Sequence, residues 1–207
     1  MNALPESTPS KAKIIIVNGQ PASGKDTLAD TLSGFGFEKY GVSDELRQIA
    51  LERELDPFNR PTLNQIHSEL RDREGLDWFV KRVARRIEEN PESNIVLVGI
   101  RHPVAMSELI RLAHDKPHKI ELATVALLGS PEIRFDNAKQ DSGRHRGNSL
   151  EEFIAQERPE QHANDNKAGL ATLATMMMCD ISFEQKVSGD YSYQDNALHW
   201  LHERGMI

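Results

Sequence analysis

The sequence has little cysteine and no long apolar run. Cys179 is the single cysteine among 207 residues, so it cannot form an internal disulfide, and no cysteine–histidine spacing typical of a metal site surrounds it. No apolar run approaches the roughly 20 residues that a membrane-spanning helix needs. The polar segment 1–11 lacks the hydrophobic stretch of a signal peptide, and we expect it to form a flexible tail. These absences favour a soluble, cytoplasmic protein in a reducing setting.

Positive charge is in the minority. The chain has 25 Lys and Arg residues against 32 Asp and Glu residues, and its formal net charge is −7. Hydrophobic residues make up 38% and charged residues 28% of the chain, a globular balance that excludes a wholly disordered or collagen-like protein. The acidic total argues against nucleic acid as a partner, because contacts with a phosphate backbone need a basic face. It does not exclude a small anionic ligand, since one pocket of Lys and Arg sets its own local field.

Short β-branched runs alternate with helical patterns along the chain. Apolar strands separated by helices indicate a parallel sheet that is covered on both faces, and such sheets bind ligands at the carboxyl ends of their strands. Ser43 and Thr62 are predicted to cap two of the helices. The predicted strands cover residues 14–17, 37–40, 95–98, 120–128 and 179–183, and helices are predicted from about residues 24, 43, 62, 76, 103, 131, 149 and 193.

The strongest local motif is G-Q-P-A-S-G-K-D-T, residues 19–27, directly after the first strand. It fits the phosphate-binding pattern G-x-x-x-x-G-K, in which backbone N–H groups and a helix N-terminus surround phosphate oxygens. Lys25 is predicted to reach the β- and γ-phosphates of ATP. Asp26 replaces the usual Ser or Thr, and its carboxylate is also a suitable ligand for Mg²⁺. The predicted nucleotide-binding residues are Gly19, Ala22, Ser23, Gly24, Lys25, Asp26 and Thr27.

With this motif in place, the sequence resembles the nucleoside-monophosphate-kinase-like group of P-loop kinases over roughly residues 12–185. It is similar to adenylate-kinase-like and archaeal dephospho-CoA-kinase-like proteins. The G-K-D-T form of the loop also resembles that of phage deoxynucleoside monophosphate kinases and animal phosphomevalonate kinase. The resemblance implies a P-loop NTPase three-layer α/β sandwich with a five-stranded parallel sheet of order 2-3-1-4-5. It also implies ATP and Mg²⁺ as cofactors and a small acceptor as substrate.

Several later segments carry the same resemblance, in order. It implies one kinase domain over residues 12–207, with an acceptor-binding helical region at 43–90 and a lid at 134–160. In the family, an Arg three residues after an Asp grips the acceptor's phosphate, and lid arginines close over the phosphates of ATP. The residues so assigned to the acceptor are Ser43, Asp44, Arg47 and Arg101, and those assigned to the lid side are Arg134, Arg144, Arg146 and Arg158.

The expected function is ATP-dependent phosphorylation of a small acceptor, a nucleoside monophosphate or related nucleotide. One departure from the family keeps alternatives open: Val98 or Gly99 stands where the family has an acid that orients Mg²⁺, and Asp26 is hypothesised to replace it. A kinase of a hydroxyl acceptor, such as dephospho-CoA or a modified nucleic-acid base, could use Asp44 as a general base. A nucleotide-binding regulator without transferase activity is the other alternative. Solvated helix faces are predicted for Arg71, Arg73, Arg82, Arg85 and Arg86.

Overall fold

Five parallel strands form the sheet on which the molecule is built. The computed structural model describes residues 11–140, 147–161 and 171–207. The strands lie in the order β2-β3-β1-β4-β5, and each neighbouring pair is parallel. The predicted α/β class and strand order are therefore confirmed. The strands are β1 (Ala12–Gly19), β2 (Glu38–Gly41), β3 (Asn94–Val98), β4 (Ile120–Gly129) and β5 (Ile181–Gln185).

Helices cover both faces of the sheet. None of those in the described ranges is long and apolar enough to cross a bilayer. The short α8 has no counterpart in the sequence prediction, because six residues are too few to show a helical period. The helices are α1 (Lys25–Ser33), α2 (Val42–Glu52), α3 (Arg60–Glu74), α4 (Trp78–Glu89), α5 (Pro103–Asp115), α6 (Pro131–Gln140), α7 (Leu150–Gln161), α8 (Thr172–Met177) and α9 (Ser192–Glu203).

Two helix starts differ from the prediction. Helix α2 follows β2 without a loop, and its N-cap is Gly41, so Ser43 lies in the first turn and does not cap it. Helix α3 has Asn59 as its N-cap, and the Asn59 Oδ1 accepts the N–H of Thr62 at 3.0 Å. The predicted caps at Ser43 and Thr62 are therefore wrong, because a strand end and a stronger Asn cap lie just upstream.

Alternation along β1 divides the core into two parts. Ile15 and Val17 pack with α1 and α9 on one face of the sheet, whereas Ile14 and Ile16 pack with α2 to α5 on the other. A central strand that is buried on both faces is apolar throughout, which is why the run is continuous. Helices α1 and α9 therefore lie on one face of the sheet, and α2 to α4 lie on the other face.

Two arginines of α4 join elements together, so the prediction that they are merely solvated is wrong. Arg82 lies 3.2 Å from Glu45 on α2 and 2.9 Å from Glu74 on α3, measured between nitrogen and oxygen. The Arg86 guanidinium stacks 4.1 Å from the ring centroid of Tyr40 on β2. These contacts fix α4 against α2, α3 and β2.

Candidate functional site

The phosphate loop, residues 19–27, runs from the end of β1 into α1. Atoms of neighbouring elements lie close to its backbone. Gly24 has φ of 83°, and a Cβ there would lie 2.1 Å from Tyr193 Oη and 2.6 Å from Gln194 Nε2. A Cβ at Gly19 would lie 2.7 Å from a carbonyl oxygen of β4. Both positions therefore require glycine, and the predicted loop conformation depends on them.

Helix α6 binds the outer side of the phosphate loop. The Arg134 Nη1 donates to the carbonyl oxygen of Pro21 at 3.2 Å, and the Asn137 Nδ2 donates to that of Ala22 at 3.0 Å. Asn137 also donates to Gln185 Oε1 at 2.8 Å, which links the loop to β5. The sequence prediction missed Asn137 and Gln185, because nothing local marks residues more than a hundred positions away as loop contacts.

Helix α9 binds the next two carbonyls. The Tyr193 hydroxyl donates to the carbonyl oxygen of Ser23 at 3.1 Å, and the Gln194 Nε2 donates to that of Gly24 at 3.3 Å. Burial raises the pKa of Tyr193, so its hydroxyl remains a donor. Side chains thus bind four consecutive carbonyls, residues 21–24. The C=O and N–H of a trans peptide point in opposite directions. The N–H groups of Ala22, Gly24 and Lys25 therefore point to the other side of the loop, where an anion can sit, whereas the N–H of Ser23 donates to the carbonyl oxygen of Gln20 at 3.2 Å.

Arg134 lies on the carbonyl side of the loop and is buried with Glu157. Each is 1% exposed, and the Arg134 Nη1 lies 2.6 and 2.8 Å from the two carboxylate oxygens of Glu157. Its Nε donates to the carbonyl oxygen of Gly129, at the end of β4, at 2.9 Å. The sequence assigns Arg134 to a lid over the phosphates, but the structure engages its guanidinium behind the loop. A contact between Arg134 and ATP therefore stays a prediction.

Lys25 and Asp26 begin α1 next to a second lysine. The buried Lys25 Nζ lies 3.4 Å from one carboxylate oxygen of Asp26, and the Lys39 Nζ lies 3.6 Å from the other. Lys39 also binds Asp30 at 2.8 Å. The Asp26 side chain is 32% exposed, and Thr27 is exposed beside it. The prediction missed Lys39, although alternation along β2 placed it opposite the buried tyrosine.

The carboxyl end of β3 lies beside Lys25. Gly99 has φ of 68°, and a Cβ at this position would lie 3.6 Å from Lys25 Cε. Gly99, one of the two positions at which the resemblance implies an acid in the family, is therefore next to the loop lysine and has a left-handed conformation; the other position is Val98. Across the described ranges, no group of three His, Cys, Asp or Glu side chains could hold a metal ion. Asp26 is the carboxylate whose position fits a cation bound by the phosphates of ATP.

Asp44 and Arg47 form a pair at the end of β2. The Arg47 Nη1 lies 3.0 Å from Asp44 Oδ1, as the three-residue spacing predicted. A Cβ at Gly41, the last residue of β2, would lie 3.3 Å from Asp44 Oδ2, so the carboxylate lies at the strand end. The Arg47 Nε is buried and finds no hydrogen-bond partner within the described residues. Ser43 is exposed next to them.

Arg101 and His102 follow the carboxyl end of β3. Arg101 is half-buried, and its carbonyl oxygen accepts the N–H of Ala171 at 2.8 Å. Burial and then the positive charges of Arg71, His102 and Arg101 lower the pKa of His67. The Arg71 side chain is 21% exposed, so the prediction that it lies on a solvated helix face is wrong. The signal that could have found it is the four-residue spacing of His67 and Arg71 on one helix.

The remaining predicted residues lie elsewhere. Arg158 is exposed on α7, next to the buried Glu157, and no described contact brings it to the loop. Arg144 and Arg146 lie outside the described residues, as does segment 1–10 of the predicted tail. The structure thus brings together the loop, the Asp44–Arg47 pair and Arg101 at the carboxyl ends of β1, β2 and β3. It places Arg134 behind the loop and Arg158 on the exposed side of α7.

The chain matches no protein-family profile. A UPF0200/UPF0201 protein of Archaeoglobus fulgidus is 29% identical to it over 150 residues, which are 72% of this chain and 45% of that protein. The chain therefore spans less than half the length of that relative.

Solved structures with the same fold include kinases. TT1252 from Thermus thermophilus is 19% identical, with a TM-score of 0.56 over 95% of this chain and 98% of that one. A shikimate kinase from Bacteroides thetaiotaomicron is 14% identical, with a TM-score of 0.52 over 94% of this chain and 98% of that one. Together with the strand order, these likenesses show that the chain has the fold of P-loop kinases. The finer resemblance to nucleoside-monophosphate kinases stays a prediction.

Proposed function

We propose that this chain is an ATP-dependent phosphotransferase that moves the γ-phosphoryl group of ATP to a small acceptor, a nucleoside monophosphate or related nucleotide. The observation that carries the proposal is the phosphate loop whose four consecutive carbonyls are bound from outside by α6 and α9. Phosphoryl transfer depends mainly on positioning and on neutralising charge. A loop whose amides are oriented before ATP arrives supplies both without reorganisation.

On the donor side, Lys25 binds the β- and γ-phosphates and Thr27 binds the α-phosphate. Asp26 would hold the Mg²⁺ that accompanies ATP, and the Nζ atoms of Lys25 and Lys39 lie 3.4 and 3.6 Å from its carboxylate oxygens. The metal supplies charge neutralisation at the transferred phosphoryl group. Arg134 acts as a positioning residue for the loop, through Pro21 and Glu157.

On the acceptor side, Arg47 and Arg101 bind the acceptor's phosphate, because a planar guanidinium forms bidentate hydrogen bonds with it. Ser43 and Asp44 orient Arg47 from the start of α2. We assign region 43–90 to acceptor binding and region 134–160 to a lid, from which Arg144 and Arg158 approach the phosphates of ATP. Closure of such a lid excludes the water that would otherwise hydrolyse ATP.

The test is ADP release from ATP with a panel of nucleoside monophosphates, dephospho-CoA and single-stranded DNA, comparing wild type with Lys25→Ala. One class of acceptor is expected to stimulate ADP release, and Lys25→Ala is expected to lower the rate by about 10²–10³-fold, the loss typical of removing one transition-state donor. Circular dichroism checks that the variant is folded. Equal rates in the two proteins would contradict the kinase proposal, and tight ATP binding without stimulated ADP release would favour a regulator.

A second experiment addresses the metal. We expect Asp26→Ser to change the Mg²⁺ concentration that gives half-maximal ADP release, because the variant exchanges a charged oxygen ligand for a hydroxyl. Asp30→Ser is the matched control, since it also removes a carboxylate that Lys39 binds but lies a turn away from the loop. Unchanged Mg²⁺ dependence in Asp26→Ser would exclude this role for Asp26.

A further inference from the structure

Lys39 joins the edge strand β2 to helix α1. Its neighbour Tyr40 is buried among the helices on the opposite face of the sheet, and because side chains alternate along a strand, Lys39 points to the face that α1 covers. The Lys39 side chain is 28% exposed, so the protein covers most of it. Its ammonium group meets α1 at Asp26 and Asp30, which are four residues apart and therefore share one side of the helix.

Three oxygen atoms of α1 lie around the Lys39 ammonium. The Lys39 Nζ is 2.8 Å from Asp30 Oδ1, 3.5 Å from the carbonyl oxygen of Asp26 and 3.6 Å from Asp26 Oδ1. Two carboxylates and a carbonyl are the kind of oxygen ligands that Mg²⁺ and Mn²⁺ take in proteins. The exposed Asp30 side chain can turn toward an ion smaller than an ammonium group. Lys39 therefore occupies a position at which a divalent cation would find ligands.

Asp26 meets a second ammonium group at its other carboxylate oxygen. The Lys25 Nζ lies 3.4 Å from Asp26 Oδ2, whereas Lys39 is the neighbour of Oδ1. The two positive charges of these lysines balance the two negative charges of Asp26 and Asp30. A divalent cation between the two aspartates would add two positive charges beside both lysines, and the repulsion opposes its binding.

We propose that Lys39 is a positioning residue for Asp26 that acts as a tethered cation, because its ammonium fills the position between Asp26 and Asp30 and keeps free divalent ions out of it. The inference rests on the proposed function in one respect: it takes Asp26 as a ligand of the Mg²⁺ that accompanies ATP. Lys39 fixes this carboxylate by its Oδ1, and Oδ2 is the oxygen on the Lys25 side. The nucleotide-free protein is therefore expected to reject divalent ions here, since the phosphates of ATP supply the negative charge that holds the metal.

The experiment measures Mn²⁺ binding to the nucleotide-free protein by electron paramagnetic resonance of the unbound ion. Lys39→Met removes the ammonium and keeps an apolar chain of similar length. It is expected to bind one more Mn²⁺ than wild type, with a Kd of about 10⁻⁴–10⁻³ M, the weak end of the range for cation sites built from carboxylates. Lys39→Arg keeps the positive charge and should bind no more Mn²⁺ than wild type. Adding Asp30→Asn to Lys39→Met removes one carboxylate and should abolish the additional binding.

Lys139→Met is the matched control. The Lys139 Nζ lies 3.3 Å from Asp136 Oδ1 on α6, so this variant also frees an aspartate from a lysine, but it frees one carboxylate where Lys39→Met frees two. It should gain no Mn²⁺. Lys39→Gln repeats the measurement with a polar side chain, and circular dichroism checks the folding of each variant, so that a folding defect in one of them does not decide the result.

The role of Lys39 is refuted if neither Lys39→Met nor Lys39→Gln binds more Mn²⁺ than wild type, or if Lys139→Met gains as much as they do. ADP release by the wild type separates the two proposals. An active wild type whose Lys39 variants gain no Mn²⁺ overturns the role of Lys39 alone. A wild type without stimulated ADP release, whose Lys39 variants do gain Mn²⁺, overturns the kinase alone.

Discussion

The proposed donor side and the proposed acceptor side of this molecule are built in different ways. On the donor side, helices from distant parts of the chain bind the phosphate loop, and the Arg134–Glu157 pair behind it is fully buried. On the acceptor side, Asp44 and Arg47 pair within one turn of α2, and their side chains are 48% and 41% exposed. Tertiary contacts fix the first region, whereas local contacts and water surround the second.

The difference in burial agrees with the different functions proposed for the two regions. A site that binds the same triphosphate in every turnover gains from rigid preorganisation, because no free energy is spent on ordering it. A site that selects an acceptor needs charges that remain available to that acceptor, and exposed ion pairs contribute little to stability. Substitutions on the donor side should therefore change the free energy of unfolding far more than those on the acceptor side.

The largest effect is expected from Glu157→Ala. The variant leaves the buried Arg134 guanidinium without its carboxylate, which costs about 3–5 kcal/mol of stability. Urea denaturation measures this loss. The control is Asp136→Ala, which breaks an exposed pair with Lys139 on α6 and should cost less than about 1 kcal/mol. Similar losses in the two variants would remove the contrast between buried and exposed pairs.

Gly24→Ala should come next, at about 2–3 kcal/mol. A Cβ would overlap Tyr193 Oη and Gln194 Nε2, so steric cost adds to the cost of a positive φ. ATP affinity should fall as well, because the loop and α9 must separate. Gly36 has a similar φ of 87° but open space around it. Gly36→Ala should therefore lower the free energy of unfolding by about 1 kcal/mol and leave the affinity for ATP unchanged. Fluorescent-nucleotide titration and urea denaturation distinguish the two.

Tyr193→Phe should have a smaller effect, about 1 kcal/mol, the typical net contribution of one hydrogen bond. It removes the donor to the carbonyl oxygen of Ser23 and leaves the ring in the core. The KM for ATP should rise while the KM for the acceptor stays constant. Tyr191→Phe removes a hydroxyl from a 48% exposed side chain on the same turn and serves as the control. A KM for ATP that Tyr193→Phe leaves unchanged would argue against support of the loop by α9.

The smallest effect on stability is expected from Asp44→Asn, less than about 0.5 kcal/mol, since its pair with Arg47 is exposed. Its kinetic effect separates the rival acceptors. A phosphorylated acceptor needs no general base, so kcat should change little. A hydroxyl acceptor that loses its base should react about 10²–10⁴-fold more slowly. Steady-state rates with the best acceptor decide between them.

Features that are formed by residues close together in the chain were predictable from the sequence. The phosphate loop lies within nine residues, and close approaches of other atoms require glycine at Gly19 and Gly24. The parallel sheet was predictable because strands buried on both faces are uniformly apolar. The Asp44–Arg47 contact followed from helical spacing. In each case the physical cause acts between neighbours in the chain.

Only the tertiary structure decided what surrounds these features. The donors to Pro21 and Ser23 are 113 and 170 residues away, and nothing near Arg134 distinguishes an arginine behind the loop from one in a lid. Likewise, Arg71 was predicted to lie on a solvated helix face, but its side chain is 21% exposed. A side chain's sequence neighbours set its helix or strand, but the burial and charge it meets come from elements that fold against it. The sequence alone therefore predicted the phosphate loop, and the packing of α6 and α9 decided which side chains bind its carbonyl oxygens.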